Sequence, residues 1–417
     1  KRIIDADRDS AIARGGHGNA IAQAYGHAIL PLCNEHDRLT QILWGVADFE
    51  FRFGRHPASL WLPETACNDE ILALMIEQGF SYVILAPNQA ARIRQTKNGS
   101  WLAVPPDEID TTRAYKYLHK DGSGRSIAVF FYHGGLSRAI AFERALTSSR
   151  DLVDRFVQVA QTGELVNVAT DGETYGHHFK FGDLCLAHAL EIEARQADFW
   201  ITNYREYLDH YPAEIEVEIN LGQKGEGTSW SCAHGVDRWT RDCGCHTGGP
   251  AGWNQRWREP LRLALNFLRD SAAKNFEDAA GELLIDPWKA RNEYIQVLLD
   301  PESWPNFLLR QQKRLLSTTE EVQSRTLLEI QRFSLLMFTS CGWFFSDLAG
   351  LETLQILRYA SRLLELEKEI GQHNSRNKFL EMLAEAKSNR LAMGNGADIF
   401  LEFAENNRTT DPTFPAL

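Results

Sequence analysis

The hydrophobic pattern of this chain changes period once, near Trp257, and that change restricts the fold more than any other feature. Before it, short apolar runs alternate with helix-period segments. Leu39 to Val46, Ser59 to Leu62, Ser81 to Leu85, Ile127 to Tyr132 and Leu165 to Ala169 read as strands. Between them, Asp69 to Gln78, opened by Asn68 as N-cap, and Ser149 to Thr162 read as helices. Such alternation builds a parallel sheet or barrel. After Trp257 the pattern is helical almost to the end, over Leu261 to Lys274, Pro287 to Leu299, Leu308 to Leu316, Thr318 to Leu336, Leu351 to Lys368 and Ser375 to Lys387. Three segments follow: an α/β barrel over 1–221, a Gly/Cys/His/Trp-rich loop over 222–256, and an all-helical C-terminal domain over 257–417 packed beside the barrel.

Composition limits the partners. The 417 residues, 44% of them hydrophobic, can fill a large core, and the net charge of -12 offers no basic stripe for a nucleic-acid backbone. No apolar run reaches about 18 residues and no leader pattern stands at the start as given, so no membrane partner and a cytoplasmic location are expected. Seven cysteines, an odd number with Cys67, Cys185 and Cys341 isolated in apolar contexts, suit reduced thiols better than a disulfide framework.

The densest chemistry follows Leu165-Val166-Asn167-Val168-Ala169. The next residues, Thr170-Asp171-Gly172-Glu173-Thr174-Tyr175-Gly176-His177-His178, place two acids, two glycines and two histidines where a buried strand would end. Ser59-Leu60-Trp61-Leu62-Pro63-Glu64-Thr65 repeats the design, with one carboxylate just past a short apolar run and an indole beside it. Two carboxylates at two strand ends are the minimum equipment for glycoside hydrolysis: one ionised to attack the anomeric carbon, one protonated to serve the leaving oxygen, about 5 to 5.5 Å apart in a retaining enzyme. Proximity to a charged Glu64, or burial, would keep Asp171 protonated. His177 and His178 cap the next helix, order the loop or touch substrate. His27, in an apolar stretch, reads by itself as a core histidine.

Trp61-Leu62-Pro63-Glu64 and Asp171-Gly172-Glu173-Thr174-Tyr175-Gly176 are similar to the third and fourth signature regions of glycoside hydrolase family 57. Tyr25-Gly26-His27-Ala28-Ile29-Leu30-Pro31-Leu32 resembles its second region. The resemblance covers about Gly18 to His178. It implies an incomplete (β/α)7 barrel acting on α-linked glucans, oligo- or polysaccharide, without a cofactor. Glu64 would be the nucleophile, Asp171 the general acid/base, and Glu173, His27 and Trp61 would line the sugar site. The family's first region, a His-x-Pro ending the first strand, is not found near the N-terminus, so it lies upstream of Lys1 or is absent.

Cys232-Ala233-His234 and Cys243-Gly244-Cys245-His246 hold enough soft ligands for zinc, but the pairs lack the usual two-to-four-residue gap. The sequence therefore favours a glycine-rich lid without metal, held by Trp230, Trp239 and Trp253 and closing over the sugar cleft. On that reading Trp230, His234 and Trp239 join the substrate contacts. Two other classes stay open: a metal-dependent polysaccharide deacetylase or zinc mannosidase, with Asp171 as a ligand, and a glycan-binding relative without turnover.

Overall fold

The computed structural model describes residues 1–95, 99–372 and 375–405. They form two compact units. The first comprises Lys1–Ala22, Arg52–Trp61 and the described part of Cys67–Trp230; the second comprises Gln23–Phe51, Leu62–Ala66 and the described residues from Ser231 onward. The chain thus enters the helical unit twice before Ser231.

The strands lie in the first part of the chain: β1 (Ala22–Gln23), β2 (Leu60–Trp61), β3 (Tyr82–Leu85), β4 (Ala90–Arg94), β5 (Leu102–Ala103), β6 (Ala114–Leu118), β7 (Ser126–Phe131) and β8 (Glu216–Ile219). Six of them form the first unit's sheet in the order β3-β7-β6-β8-β4-β5. Pairings β3–β7 and β6–β8 are parallel, and the remaining three are antiparallel. β3 is buried along its whole length, as its unbroken Tyr82-Val83-Ile84-Leu85 run requires. Tyr82, Phe130, Tyr204 and Tyr207 pack as an aromatic core, with Phe130 and Tyr204 centroids 4.5 Å apart. The helix Asp69–Glu77 starts where the Asn68 side chain accepts from the Ile71 amide at 3.1 Å. Ser148 caps Ser149–Ala160 in the same way.

Two expected strands are not strands. Leu39 to Val46 lies inside a helix, Glu35–Phe53. Buried Asp37, Gln41, Gly45 and Phe49 recur every four residues along one face, and Asn34 accepts from the Asp37 amide at its start. Gly45 is needed for close approach, since a Cβ there would stand 2.0 Å from the Gln23 carbonyl oxygen. Leu165 to Ala169 joins no sheet. The Asn167 side chain donates to the Thr111 and Phe131 carbonyls at 2.8 and 3.4 Å. Its own carbonyl accepts from His133 N, and Leu165 N reaches Thr112 O, so isolated bonds replace a ladder.

The helical unit matches the period change. After Trp257 its long helices are Arg258–Leu283, Thr318–Leu336 and Leu351–Glu369, and no strand follows Ile219 among the described residues. Trp257, Leu261, Leu265, Ile330, Met337, Trp343 and Leu357 share one core. A second core forms around Trp44, whose indole donates to the Arg291 and Asn292 carbonyls at 3.1 and 3.0 Å. Among the described residues, no helix is long and apolar enough to cross a membrane.

Candidate active site

Glu64 sits in a single 3-10 turn, Pro63–Thr65, immediately after the β2 residues. Pro63 presets the turn, Thr65 N bonds Leu62 O at 2.8 Å, and Ala66 N bonds Pro63 O at 3.0 Å. Glu64 is left-handed, at φ 59 and ψ 20, and Thr65 follows at φ 51. Left-handed backbone costs a non-glycine residue about 1–3 kcal/mol and persists where the surroundings over-determine it. One such constraint is explicit: Ser231 donates its hydroxyl to Glu64 Oε2 at 2.6 Å. The carboxylate is half-buried.

His27 has the same backbone character, at φ 52. Its carbonyl accepts from Ser340 N at 2.9 Å, and Nδ1 lies 2.8 Å from Ser340 Oγ. The imidazole is held at one nitrogen and half-buried, rather than packed away as a core residue.

Asp171 lies in the first unit, in a loop rather than at a strand tip. Gly172–Thr174 forms a 3-10 turn, Thr174 N bonds Asp171 O, and the Tyr175 hydroxyl lies 2.8 Å from Thr170 Oγ1. The loop root is pinned by Ala169 N to Ser137 Oγ at 3.1 Å. Asp171, Glu173, His177 and His178 are all exposed. Both histidines order the loop through their backbone, His177 N and His178 N bonding Glu173 O at 3.1 and 2.9 Å. Neither caps the next helix, which starts after Phe181. His178 also lines a wide groove of about 870 Å³ with Arg144, Arg150, Lys180 and Phe181, a groove that includes neither Glu64 nor Asp171.

Trp61, Trp230 and Tyr132 cluster in the first unit, with Trp61–Trp230 centroids 5.3 Å apart and Tyr132–Trp230 centroids 6.0 Å apart. Both indoles remain partly exposed, leaving aromatic surface on which a sugar ring can stack. Trp239 does not: it is 0% exposed, belongs to the helical core, and donates its indole N–H to Ser340 O at 3.1 Å. The expectation that Trp239 touches substrate is corrected by that burial. It also overturns the lid reading, because Cys232, Val236, Trp239 and Trp257 anchor the loop in the core.

His234 belongs elsewhere too. Its Nδ1 lies 3.5 Å from Cys245 Sγ, and Cys232 Sγ lies 3.8 and 3.9 Å from the sulfurs of Cys243 and Cys245. Contact with Cys243 pushes the Cys232 thiol up and holds Cys243 down at about 5. Ser231, Ser340 and Tyr132 touch Glu64, His27 and Trp230 without a motif of their own in the sequence. A lone hydroxyl carries no sequence signal, whereas Tyr132, at the end of an apolar strand run, could have been flagged by its position.

A left-handed, hydroxyl-held carboxylate, a second acid in a glycine-flanked loop and a pair of edge-to-face indoles are features that suit a carbohydrate-active protein. Residues 2–220 match glycosyl hydrolase family 57, and the chain belongs to that family. Residues 253–413 match a domain of unknown function, DUF3536. No curated protein matches the sequence. Among solved structures, an exo-type maltose-forming amylase from Pyrococcus sp. ST04 superposes with TM-score 0.63 at 16% identity over 88% of this chain. The α-amylase AmyC of Thermotoga maritima gives TM-score 0.53 at 13% identity, covering 95% of this chain and 76% of its own. A family 57 branching enzyme from Thermococcus kodakaraensis gives 0.50 at 15%, over 90% and 72%. The present chain spans 65% of the length of the first of these. At such identities the likeness is one of fold.

Proposed function

We propose that this protein is a retaining glycoside hydrolase or glucanotransferase acting on α-linked glucans. Glu64 attacks the anomeric carbon, and the glycosidic C–O bond breaks as Asp171 gives its proton to the departing oxygen. The resulting glycosyl ester on Glu64 is opened by water or a sugar hydroxyl, whose proton returns to Asp171. The observation that carries the reading is the left-handed Glu64 turn with the Ser231 hydroxyl on Oε2, in a chain of family 57. That hydrogen bond fixes one carboxylate oxygen. His27, Trp61, Trp230, Glu173, His177 and His178 serve the sugar in this reading. Residues 1–221 supply the catalytic part, 222–256 the connecting loop and 257–417 the helical support.

A deacetylase or mannosidase mechanism would need Asp171 as a metal ligand. The metal-type cluster among the described residues consists instead of Cys232, His234, Cys243 and Cys245. The test is covalent trapping: a 5-fluoro-α-glucoside incubated with the full chain should add one glycosyl mass to the peptide bearing Glu64. Glu64→Gln should lose the adduct and more than about 10³-fold in turnover of an α-glucan while keeping its fold. Labelling of another residue, or near wild-type turnover in the variant, would remove Glu64 as nucleophile.

A further inference from the structure

The loop after Trp230 carries chemistry that glycoside hydrolysis does not use. The donor atoms of Cys232, His234, Cys243 and Cys245 all lie within 4.8 Å of one another. Zinc bonded at about 2.3 Å to sulfur and about 2.1 Å to imidazole nitrogen has sulfur–sulfur edges near 3.8 Å and sulfur–nitrogen edges near 3.6 Å in a tetrahedron. Cys232 Sγ lies 3.8 and 3.9 Å from the sulfurs of Cys243 and Cys245, Cys245 Sγ lies 3.5 Å from His234 Nδ1, and the other donor pairs fall within 4.8 Å. A disulfide would need about 2.0 Å and would engage only two of the three sulfurs.

The backbone is shaped to the same end. Gly244, between two of the cysteines, takes φ +80, a conformation that L side chains rarely adopt. Gly235, directly after His234, is likewise left-handed at φ 82, and its amide bonds Cys232 O at 3.2 Å.

Charge gives a second, independent observation. Arg258 is 0% exposed, and its guanidinium donates to the carbonyls of Cys245, Phe344 and Phe345 at 2.7, 3.3 and 3.4 Å. The sulfurs of Cys232, Cys243 and Cys245 lie near this buried guanidinium, as does Arg238. A buried cation is stabilised by an anionic neighbour. A divalent ion with three thiolates and a neutral imidazole has a net charge of -1, which offsets it.

We propose that Cys232, His234, Cys243 and Cys245 form a closed structural zinc site. The pairing Cys-x-His with Cys-x-Cys departs from the usual ligand gaps, and the left-handed glycines are what let such close neighbours converge. Binding releases the thiol protons to solvent as the metal–sulfur bonds form. Ser231 precedes Cys232 directly, so the metal holds in place the backbone that presents the hydroxyl to Glu64. That last consequence rests on the proposed function; the metal site does not.

The test measures metal rather than turnover. Full-length protein purified under reducing conditions should carry one equivalent of zinc by elemental analysis. Replacement by Co²⁺ should give the intense visible bands of tetrahedral coordination together with thiolate-to-cobalt charge transfer. Cys245→Ser should lose at least nine-tenths of the metal, His234→Cys should retain it, and Cys185→Ser, away from the cluster, should be unaffected. If Cys245→Ser does not fold, the Co²⁺ spectrum of the unaltered chain decides alone. Less than a tenth of an equivalent after reconstitution with zinc, octahedral cobalt bands, or a Cys232–Cys243 disulfide in the reduced preparation would overturn the site. Zinc bound with no glucan turnover would leave the site standing and refute the glycosidase reading instead.

Discussion

Ser231 donates its hydroxyl to Glu64 Oε2 at 2.6 Å across 167 residues of sequence. The contact joins the turn that carries the candidate nucleophile to the first residue of the helical unit's long C-terminal segment, and both ends lie within that unit. A hydrogen bond to a charged group is worth about 1.5–3 kcal/mol, so Ser231→Ala should lower kcat/KM by about 10- to 100-fold. Ser231→Thr, which keeps the hydroxyl, should recover most of it. Steady-state kinetics on maltooligosaccharide checks both, and an unaltered rate in the alanine variant would show the bond to be idle.

Asp171 is exposed in a loop held at its root by Ser137 and at its tip by the Gly172–Thr174 turn. Removing it should not unfold the protein. Asp171→Ala should slow natural glucans by about 10²- to 10⁴-fold while sparing the first step on an aryl glycoside whose leaving group needs no proton. Pre-steady-state release of the aryl group measures that step. Equal loss on both substrates would assign Asp171 to binding.

Asp37 and Arg291 form a buried pair, 4% and 1% exposed, with Nη1 to Oδ1 at 2.7 Å. Arg291 also donates to Thr40 Oγ1 at 2.9 Å. Asp37→Ala leaves that guanidinium charged and enclosed, and should destabilise the chain by about 3–5 kcal/mol. Replacing both residues with apolar ones of similar volume should recover much of the loss. Urea unfolding of the wild type and these two variants separates the cost of an orphaned charge from the net worth of the pair.

At Ser317 the helix Thr318–Leu336 opens with a capping box. Glu320 accepts from Ser317 N at 2.9 Å, and Arg314 donates to both its oxygens at 2.6 and 3.1 Å. The Arg314 hydrogen bond, then those from Ser317, lower its carboxyl from 4.5 to about 2. A carboxyl depressed in the folded state stabilises above its unfolded value and loses that contribution as pH falls through the folded one. Glu320→Gln should therefore melt below wild type at pH 6, and the gap should close between about pH 4.5 and pH 2. A gap independent of pH would mean the carboxylate charge plays no part.

Much of this could be read from residues alone wherever the signal was local. The change of period at Trp257 announced the long helices because an amphipathic helix repeats its apolar face within a few turns. Asn68 and Ser148 marked helix starts because a cap is made three residues away. The Trp61-Leu62-Pro63-Glu64 and Asp171-Gly172-Glu173 stretches named the family for the same reason. What failed depended on partners distant in sequence. Leu39 to Val46 has strand-like residues, yet Asn34 caps a helix there and Gln23 demands a glycine at position 45. Leu165 to Ala169 has a strand's composition, but the Thr111 and Phe131 carbonyls take the Asn167 side chain and no ladder forms. Trp239 looked like a surface platform until the helical core closed over it. Ser231 is one serine among many until tertiary folding brings it to Glu64. The cysteines had the wrong spacing for a metal by the usual rules, and only three-dimensional convergence around left-handed Gly235 and Gly244, beside buried Arg258, brings their donor atoms together. Local propensity and pattern are properties of neighbours along the chain, whereas burial, charge compensation and ligand geometry belong to neighbours in space, which the folded backbone alone selects.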